Sequence, residues 1–554
     1  MAPGNRYRYR LDGDRELPDP ASCSQPEGVH GPSAVVDPEF PWSDAGWSPP
    51  PLPRWVLYEL HVGTFSPEGT FDGVVPHLDR LADLGVTAVE LMPVAEFPGP
   101  RNWGYDGVDL FAAHHGYGGL DGLRRLVDAC HSRGLAVVLD VVYNHLGPEG
   151  NHLPDYGPYL TDRYRTEWGP ALDFDGPGSD AVRDFFVENA RFWAVHAHVD
   201  GFRLDAVHAI VDPTAYPFVE ELTAAVHALG AELGRPLPVI AESSDSDPLL
   251  TAPADRGGRG LDAQWNDDFH HALRTALTGE RAGYYADYRG IVDLAEAFAR
   301  GFVHRGRRSP FRGRRHGRPD PAVPAEPGRL VVFAQNHDQV GNRPRGDRLD
   351  AEVPFEARKL AAACVLLAPS IPLIFMGEEY GETAPFPYFT SHTDPSLVEA
   401  VRRGRREELA AFSWPEEPPD PQAEATFRSA VLDPALARRG HHRRLHDLYR
   451  RLLELRRRIP APDVGVEGHP RVEVRGETLA VARGHGPGEV LLLGAFTDHP
   501  GPWSLAPGPW EILLDTGDTA WDGPGAGPGP GPATGSVSPG PWSGLLLGRA
   551  AAPA

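Results

Sequence analysis

Three carboxylate residues follow apolar runs and could together cleave a glycosidic bond. Asp205, Glu242 and Asp338 each lie where a run with the pattern of a buried strand gives way to polar residues. Hydrolysis with retention needs a nucleophilic carboxylate and a carboxylic acid separated by roughly 5–5.5 Å. Adjacent strands of a sheet lie about 4.8 Å apart. Asp205 and Glu242 on neighbouring strands would meet this requirement, so the sequence predicts retaining glycoside hydrolysis.

The residues around the first two carboxylates should give them different charge states. Arg203 lies two positions before Asp205, so both side chains point to the same face of a strand. A fixed guanidinium there should lower the pKa of Asp205 and keep it ionised as the nucleophile. Glu242 follows the apolar run 239–241, and loss of water there should raise its pKa toward that of a general acid. The two roles are thus separated by environment.

Asp338 would place a third negative charge opposite an oxocarbenium-like transition state. His337 and His145 could donate hydrogen bonds to sugar hydroxyls. Taken singly, an Asp at a strand end is often a helix cap, and a His is more often a satisfied buried group than a ligand. The whole set, with its Asp–Glu pair on consecutive strands, favours catalysis over these alternatives.

The elements that position these residues have the pattern of a (β/α)8 barrel. Eight apolar runs predict strands, and helical patterns with apolar residues at three- and four-residue spacing separate most of them. The strands are predicted at 55–61, 86–92, 135–141, 199–205, 237–242, 261–265, 330–335 and 371–376, and the helices at 74–84, 120–133, 180–197, 216–233 and 355–367. Eight alternating units close into a TIM barrel, whose active site is built at the carboxyl ends of the strands.

Composition excludes several classes of protein. The 554 residues are 41% hydrophobic, enough for a large core. The formal net charge of −24 disfavours nucleic acid and anionic membrane as partners and favours a neutral substrate. No membrane span or signal peptide is evident, and Cys23, Cys130 and Cys364 are too few and too widely spaced for a disulfide framework. We expect a cytoplasmic protein, and a monomer.

Regions on either side of the barrel predict additional β-structure. Residues 1–50 carry one strand pattern, at 6–11, before a Pro- and Gly-rich stretch, and we interpret them as the remnant and linker of a truncated N-terminal β-domain. Residues 51–464 would form the catalytic barrel with its insertions. Residues 465–554 predict a C-terminal antiparallel β-sandwich, with the Pro/Gly-rich stretch 523–540 as a flexible loop. The Arg-rich insertion 305–328 is either a solvated loop or a patch that contacts substrate hydroxyls or a partner.

Four segments resemble the four motif regions of the α-amylase family of glycoside hydrolases. They are Asp-Val-Val-Tyr-Asn-His at 140–145, Gly-Phe-Arg-Leu-Asp-Ala-Val-His at 201–208, Val-Ile-Ala-Glu at 239–242 and Phe-Ala-Gln-Asn-His-Asp at 333–338, and the match covers about residues 50–460. The resemblance implies that Asp205 is the nucleophile, Glu242 the acid/base and Asp338 the transition-state stabiliser. It also implies sugar contacts in or near the cleavage subsite from Tyr105, Asp140, His145, Arg203, His208 and His337, with Tyr105 stacking under the sugar ring.

Further stretches are similar to a trehalose-releasing subfamily within that family. They lie at 27–33, 102–108, 264–271, 335–343 and 388–392. This implies a substrate of maltooligosyltrehalose or a related α-glucan oligosaccharide, cut at the α-1,4 bond next to the terminal trehalose. It also implies an N-terminal immunoglobulin-like β-domain, of which only the closing segment is expected here. Candidate substrate contacts are Asp267, Asp268, His270, His271, Gln339 and Asn342, and Trp265 is either a second stacking platform or a core residue.

Two alternatives stay open at this point. A glycogen branching or debranching enzyme would use the same three carboxylates on a branched α-glucan, because acceptor choice depends on loop shape beyond the cleavage subsite. A non-catalytic glucan-binding barrel would be expected to lack Asp205 or Glu242, and both are present. Asn144 and Asp140 match a region that holds calcium in some α-amylases. Hydrolysis by two carboxylates requires no metal, so we predict no metal and no cofactor.

Overall fold

Eight parallel strands form a closed barrel at the centre of the protein. The computed structural model describes residues 1–166, 168–319, 324–410, 412, 414, 417–459, 469–486 and 488–549. The barrel strands are β1 (Leu57–Leu60), β2 (Ala88–Leu91), β3 (Ala136–Val141), β4 (Gly201–Leu204), β5 (Val239–Ala241), β6 (Ala263–Trp265), β7 (Leu330–Phe333) and β8 (Ile371–Phe375). Neighbouring strands follow chain order, and β8 pairs with β1 to close the barrel. The predicted barrel is confirmed, and each strand lies inside its predicted apolar run.

Helices pack around the barrel and return the chain between strands. The described α-helices of seven or more residues are α1 (Leu78–Leu84), α2 (Gly119–His131), α3 (Ser179–His196), α4 (Phe218–Leu233), α5 (Asp267–Thr278), α6 (Ile291–Arg300), α7 (Phe355–Leu366), α8 (Pro395–Ala410) and α9 (Gly440–Arg458), of which α8 and α9 follow the last barrel strand. The β5–β6 connection contains short 3-10 turns in place of an α-helix. At the start of α5, the Asn266 side chain accepts the Phe269 backbone N–H at 3.2 Å, and this cap fixes the first turn of α5 at the barrel mouth.

The barrel interior is apolar at its base and polar at its mouth. Leu57, Val138, Ile240 and Phe333 are among the fully buried residues that fill it. Such layers of side chains make a TIM barrel a packed core rather than a pore. The charged residues of the candidate site therefore lie above a dry, close-packed floor.

Residues 1–50 contribute only short strands. Arg6–Tyr7 pairs with Ser33–Ala34, and Tyr9–Leu11 pairs with Arg15–Leu17. The single strand predicted at 6–11 is therefore interrupted at Arg8. The segment is anchored on the barrel at several points. One is the Trp47 indole N–H, which donates to Asp200 Oδ1 at 2.8 Å.

A six-stranded antiparallel sheet forms the C-terminal region. Its strands are β9 (Arg471–Arg475), β10 (Thr478–Arg483), β11 (Val490–Ala495), β12 (Trp510–Asp515), β13 (Gly531–Ala533) and β14 (Gly544–Arg549), in the order β9-β10-β11-β14-β12-β13. A pair of short strands, Trp503–Ser504 and Ser536–Val537, packs against one face. The other face lies on α7. The predicted boundary at 464/465 lies outside the described residues.

Two predictions about irregular segments need revision. The stretch 523–540 is not a loop throughout, because β13 and Ser536–Val537 lie within it. β13 is an edge strand, where a proline costs no ladder hydrogen bond. In the Arg-rich insertion, Arg307–Ser309 pairs with Arg314–His316 as a hairpin; residues 320–323 of the insertion lie outside the described residues.

None of the described helices combines the length and the hydropathy that a membrane span needs.

Candidate active site

The side chains of Asp205 and Glu242 meet around one guanidinium. Leu204 on β4 pairs in register with Ala241 on β5, so the two carboxylate residues are the next positions beyond both strand ends. Arg203 Nη1 lies 2.8 Å from Asp205 Oδ1, and Arg203 Nη2 lies 3.8 Å from Glu242 Oε2. Both carboxylates therefore face the barrel axis rather than the helical shell, as the strand pattern predicts.

Asp205 is held by two neighbouring side chains. Arg203 bonds one of its oxygens, and Asn144 Nδ2 donates to the other at 2.6 Å. Burial by itself raises the pKa of this carboxyl, but Arg203, followed by His145 and Asn144, outweighs it and holds the pKa of Asp205 below its usual value. Asp205 is thus oriented and kept ionised, as a nucleophile must be.

Glu242 has the opposite environment. Burial is the largest influence and raises its pKa, Arg203 opposes the rise, and the charges of Asp205 and Asp338 add to it. The backbone N–H of Ala206 donates to Glu242 Oε2 at 2.5 Å. Ala206 adopts a left-handed conformation with φ 38°, which costs roughly 1–2 kcal/mol for an alanine. This strained turn after β4 places a donor directly beside the candidate acid.

A buried hydrogen-bonded chain links Tyr105 to Arg203. The Tyr105 hydroxyl donates to Asp140 Oδ2 at 2.7 Å and lies 2.8 Å from His337 Nε2. Arg203 Nη1 donates to both oxygens of Asp140 at 2.9 Å. Burial raises the pKa of Asp140 to about 7, although Arg203 opposes the rise. Asp140 thus connects the aromatic residue predicted to stack on the sugar with the arginine beneath the nucleophile.

Asp338 lies at the more open side of the site. Its side chain is 38% exposed, Asn342 Nδ2 donates to its Oδ1 at 3.2 Å, and His337 Nε2 lies 3.6 Å from the same oxygen. The first turn after β7 therefore presents one solvent-facing carboxylate and one buried imidazole.

His145 brings in an aromatic residue that sequence reasoning missed. Its Nε2 lies 2.9 Å from the Tyr105 carbonyl oxygen, and its ring stacks on Trp168 at a centroid distance of 4.0 Å. Trp168 is 47% exposed. It belongs to a two-stranded excursion between β3 and α3, Leu160–Thr166 with Gly169–Leu172. No motif marks Trp168; only its exposure and its stacking on His145 reveal it.

The remaining predicted contacts divide into cleft and core residues. Gln339 Nε2 donates to Asp267 Oδ1 at 3.3 Å, which places both residues together at the mouth. Burial, reinforced by Glu242 and Asp338, raises the pKa of Asp267 to about 8. His208 is exposed on the turn after β4. His271 is largely buried among tyrosines, with Tyr284 nearest at 4.3 Å between ring centroids.

Three predicted contacts lie in the core instead of the cleft. Trp265 is 1% exposed and packs under Arg203, whose guanidinium carbon lies 4.4 Å from the ring centroid. His270 is buried against Phe333. Asp268 accepts the backbone N–H groups of Val303 and His304. Because Trp265 packs under Arg203, His270 packs against Phe333 and Asp268 accepts backbone N–H groups, we do not expect direct substrate contacts from these three residues.

One His/Glu cluster in the described residues has the spacing of a metal site. Glu96, His114 and His115 lie within metal-binding reach of one another. His114 Nδ1 accepts the Gly116 N–H, and its Nε2 donates to the Gly99 carbonyl. Both nitrogens of the His114 ring are thus hydrogen-bonded to the backbone. This arrangement fits a side chain that holds the loop in place better than a metal ligand. Asn144, which matched a calcium region, donates to Asp205 and contacts His145 instead.

Comparison with known proteins agrees with the fold. Residues 28–165 match the family model described as alpha amylase, catalytic domain. A crystal structure of a "putative alpha amylase" from Salmonella typhimurium superimposes on 99% of this chain and 91% of that chain, with 37% sequence identity and a TM-score of 0.87. Barrel, site and match together define a glycoside hydrolase of the α-amylase type.

Curated relatives place the chain more narrowly. The malto-oligosyltrehalose trehalohydrolase of Arthrobacter ramosus is 49% identical over 94% of this chain and 90% of that protein. The enzyme of the same name from Rhizobium sp. is 50% identical over 82% of this chain and 77% of that protein. The chain belongs to the malto-oligosyltrehalose trehalohydrolase family.

Arg203→Lys should separate the role of the guanidinium from that of its charge. A lysine ammonium cannot bond Asp140 and Asp205 together in the planar geometry that Arg203 provides. We expect kcat to fall by about 10²-fold and the acid limb of the pH–rate profile to move modestly to higher pH, because Asp205 loses its hydrogen bond from Arg203 while the lysine keeps the positive charge that chiefly lowers the pKa of Asp205. Steady-state kinetics between pH 4 and 8 would measure both; an unchanged acid limb would contradict the role assigned to Arg203.

Proposed function

We propose that the protein is a retaining hydrolase that cleaves the α-1,4-glucosidic bond next to the terminal trehalose of maltooligosyltrehalose, releasing trehalose and a maltooligosaccharide. The observation that carries the reaction class is the placement of Asp205 and Glu242 around Arg203 at the ends of adjacent strands. The names of the most similar relatives support the substrate. We further propose that the chain works as a monomer in the cytoplasm, consistent with three unpaired cysteines, all within the described residues.

The first step uses Asp205 and Glu242 in opposite protonation states. A carboxylate oxygen of Asp205 attacks the anomeric carbon, while Glu242 transfers its proton to the glycosidic oxygen and trehalose leaves. In the second step Glu242, now ionised, takes a proton from water, and the water oxygen displaces Asp205 from the anomeric carbon. The acid is thereby regenerated, and the configuration at the anomeric carbon is retained.

The surrounding residues act on the charge that develops between these steps. Asp338 provides a negative charge on the open side of an oxocarbenium-like transition state. Tyr105 provides an aromatic face for the sugar ring, and its hydroxyl is fixed by Asp140 and His337. We propose His145 and His208 as further contacts to sugar hydroxyls, with Asp267, His271, Gln339 and Asn342 on the other side of the cleft.

Activity should depend on pH through the two carboxyls that share Arg203. The rate should fall at low pH as Asp205 becomes protonated and at high pH as Glu242 loses its proton. Asp338→Asn removes one of the charges that raise the pKa of Glu242. We expect kcat to fall by roughly 10²–10³-fold and the alkaline limb to shift to lower pH. Rates measured from pH 4 to 10 would test this, and an alkaline limb that stayed in place would argue against Glu242 as the acid.

A product assay tests the proposed function against its alternatives. Maltotriosyl-trehalose should yield free trehalose and maltotriose, separated by chromatography. A branching enzyme would transfer chains on amylose, and a debranching enzyme would cleave α-1,6 bonds in amylopectin. A glucan-binding barrel would bind the oligosaccharide and leave it intact. Any of these three outcomes without release of trehalose would reject the proposed function.

A further inference from the structure

Two carboxyl groups lie side by side beneath the cleavage site. Glu59 on β1 and Glu90 on β2 are register partners, and both side chains are 1% exposed. Glu90 is in turn in register with Val138, two residues before Asp140 on β3. Buried carboxyl groups are rare unless they are paired with another polar or charged group.

The two carboxyls differ completely in hydrogen bonding. Glu59 Oε2 accepts the His337 backbone N–H at 2.9 Å, and Glu59 Oε1 contacts His337 Nδ1. Among the residues that the structure describes, neither oxygen of Glu90 has a hydrogen-bond partner. Hydrogen bonds to the charged form favour ionisation, whereas burial without them favours the neutral acid. Two adjacent carboxylates would also repel each other in this dry interior.

The contact of His337 Nε2, opposite the Nδ1 that contacts Glu59, determines whether that nitrogen carries a proton. Its Nε2 lies 2.8 Å from the Tyr105 oxygen, and the only proton of that hydroxyl is donated to Asp140 Oδ2. While Asp140 is ionised, the Tyr105 oxygen therefore accepts a hydrogen bond from His337 Nε2–H. While Glu59 is ionised, His337 Nδ1 also carries a proton. With both carboxylates ionised, only a doubly protonated imidazolium donates on both sides.

The charges around His337 agree with this assignment. Burial by itself lowers the pKa of His337, but Glu59 and Asp338 outweigh it and raise the pKa to about 9. Burial, and then the charge of Glu59, raises the pKa of Glu90 well above its usual range. The titratable and charged groups that face His337 are Glu59 on β1, His61 after β1, Glu90 on β2, Tyr105 in the loop after β2, Asp140 on β3, Arg203 on β4 and Asp338 beside it.

We propose that Glu59 is a positioning residue that holds His337 as an imidazolium against the cleavage site, while its neighbour Glu90 stays protonated and takes no part in binding or chemistry. This inference rests on the proposed function only for its effect on rate. The fixed cation clamps the Tyr105 hydroxyl, and it lies 3.6 Å from Asp338. It would thus orient both the aromatic platform and the third carboxylate.

Glu59→Gln and Glu90→Gln form a matched pair that tests the proposal. Both remove one potential charge from the same barrel layer with almost no change in volume. Glu59→Gln should lower the pKa of His337, because it removes the largest of the charges that raise it, and reduce kcat on the order of 10²-fold with a smaller change in KM. Glu59→Asp should restore part of the rate. Glu90→Gln should keep the pKa of His337 and leave kcat within about threefold, because an amide replaces an already neutral acid.

The charge states can be read without relying on activity. Nitrogen-15 NMR of labelled histidines, with His337 assigned by His337→Gln, should show both ring nitrogens protonated at pH 7.5 in the unsubstituted protein. Infrared difference spectra should show that Glu90→Gln loses the contribution of one protonated carboxyl group. A neutral His337 in the unsubstituted protein, or an equal loss of charge in both variants, would overturn the proposal. If NMR shows the imidazolium and no trehalose is released, the proposed function fails while this inference stands.

Discussion

Asp205→Asn should abolish turnover, with kcat reduced on the order of 10⁴-fold or more, because the variant lacks the carboxylate oxygen that would form the covalent intermediate. An amide in its place accepts hydrogen bonds but is a poor nucleophile. Arg203 keeps its two contacts with Asp140 in the variant, so we expect it to fold. Binding of maltotriosyl-trehalose, measured by calorimetry, should change far less than kcat.

The matched control for that variant is Asp245→Asn. Asp245 is exposed on the loop after β5, three residues beyond Glu242. Its replacement removes the same charge from the same face of the barrel and should leave kcat within about twofold. Comparable losses in the two variants would mean that Asp205 acts through the general charge of the mouth rather than as the nucleophile.

Glu242→Gln should reduce kcat by about 10²–10⁴-fold, the usual contribution of a general acid. The loss should depend on the leaving group. An aryl maltoside with an acidic phenol needs little protonation, so its first step should be almost unaffected and the glycosyl-enzyme should accumulate. Added azide, which needs no general base, should then release a glycosyl azide and restore turnover.

The leaving-group comparison gives this prediction its control. The same azide concentration should not rescue Asp205→Asn, because that variant forms no intermediate. A uniform loss of rate on natural and activated substrates alike would contradict an acid/base role for Glu242. It would point instead to a structural role through its contact with the Ala206 N–H.

The barrel and its carboxylates could be predicted because both depend on local patterns. Strands buried on both faces are continuous apolar runs, and the residue just beyond such a run emerges at the mouth. That rule placed Asp205, Glu242 and His337 correctly in the fold. The two-residue spacing of Arg203 and Asp205 also predicted a shared face, which the 2.8 Å contact shows.

Contacts between distant segments could not be predicted in this way. Trp168 reaches His145 only because an irregular excursion folds back over the mouth. The neighbours Glu59 and Glu90 are 31 positions apart in the sequence and meet only through the register of β1 and β2. The sequence predicts His270 as a substrate contact and leaves Trp265 open between a stacking platform and a core residue, because nearby residues in the chain lie in the cleft. The strand and helix periods turn these two side chains into the core.

The anomeric form of the first product tests the central claim most directly. Proton NMR should follow maltotriose as it is released from maltotriosyl-trehalose, before mutarotation mixes its two forms. Asp205 and Glu242 acting from adjacent strands predict that the α-anomer appears first. If the β-anomer appeared first, water rather than Asp205 would be attacking the anomeric carbon, and the two-step mechanism would be contradicted.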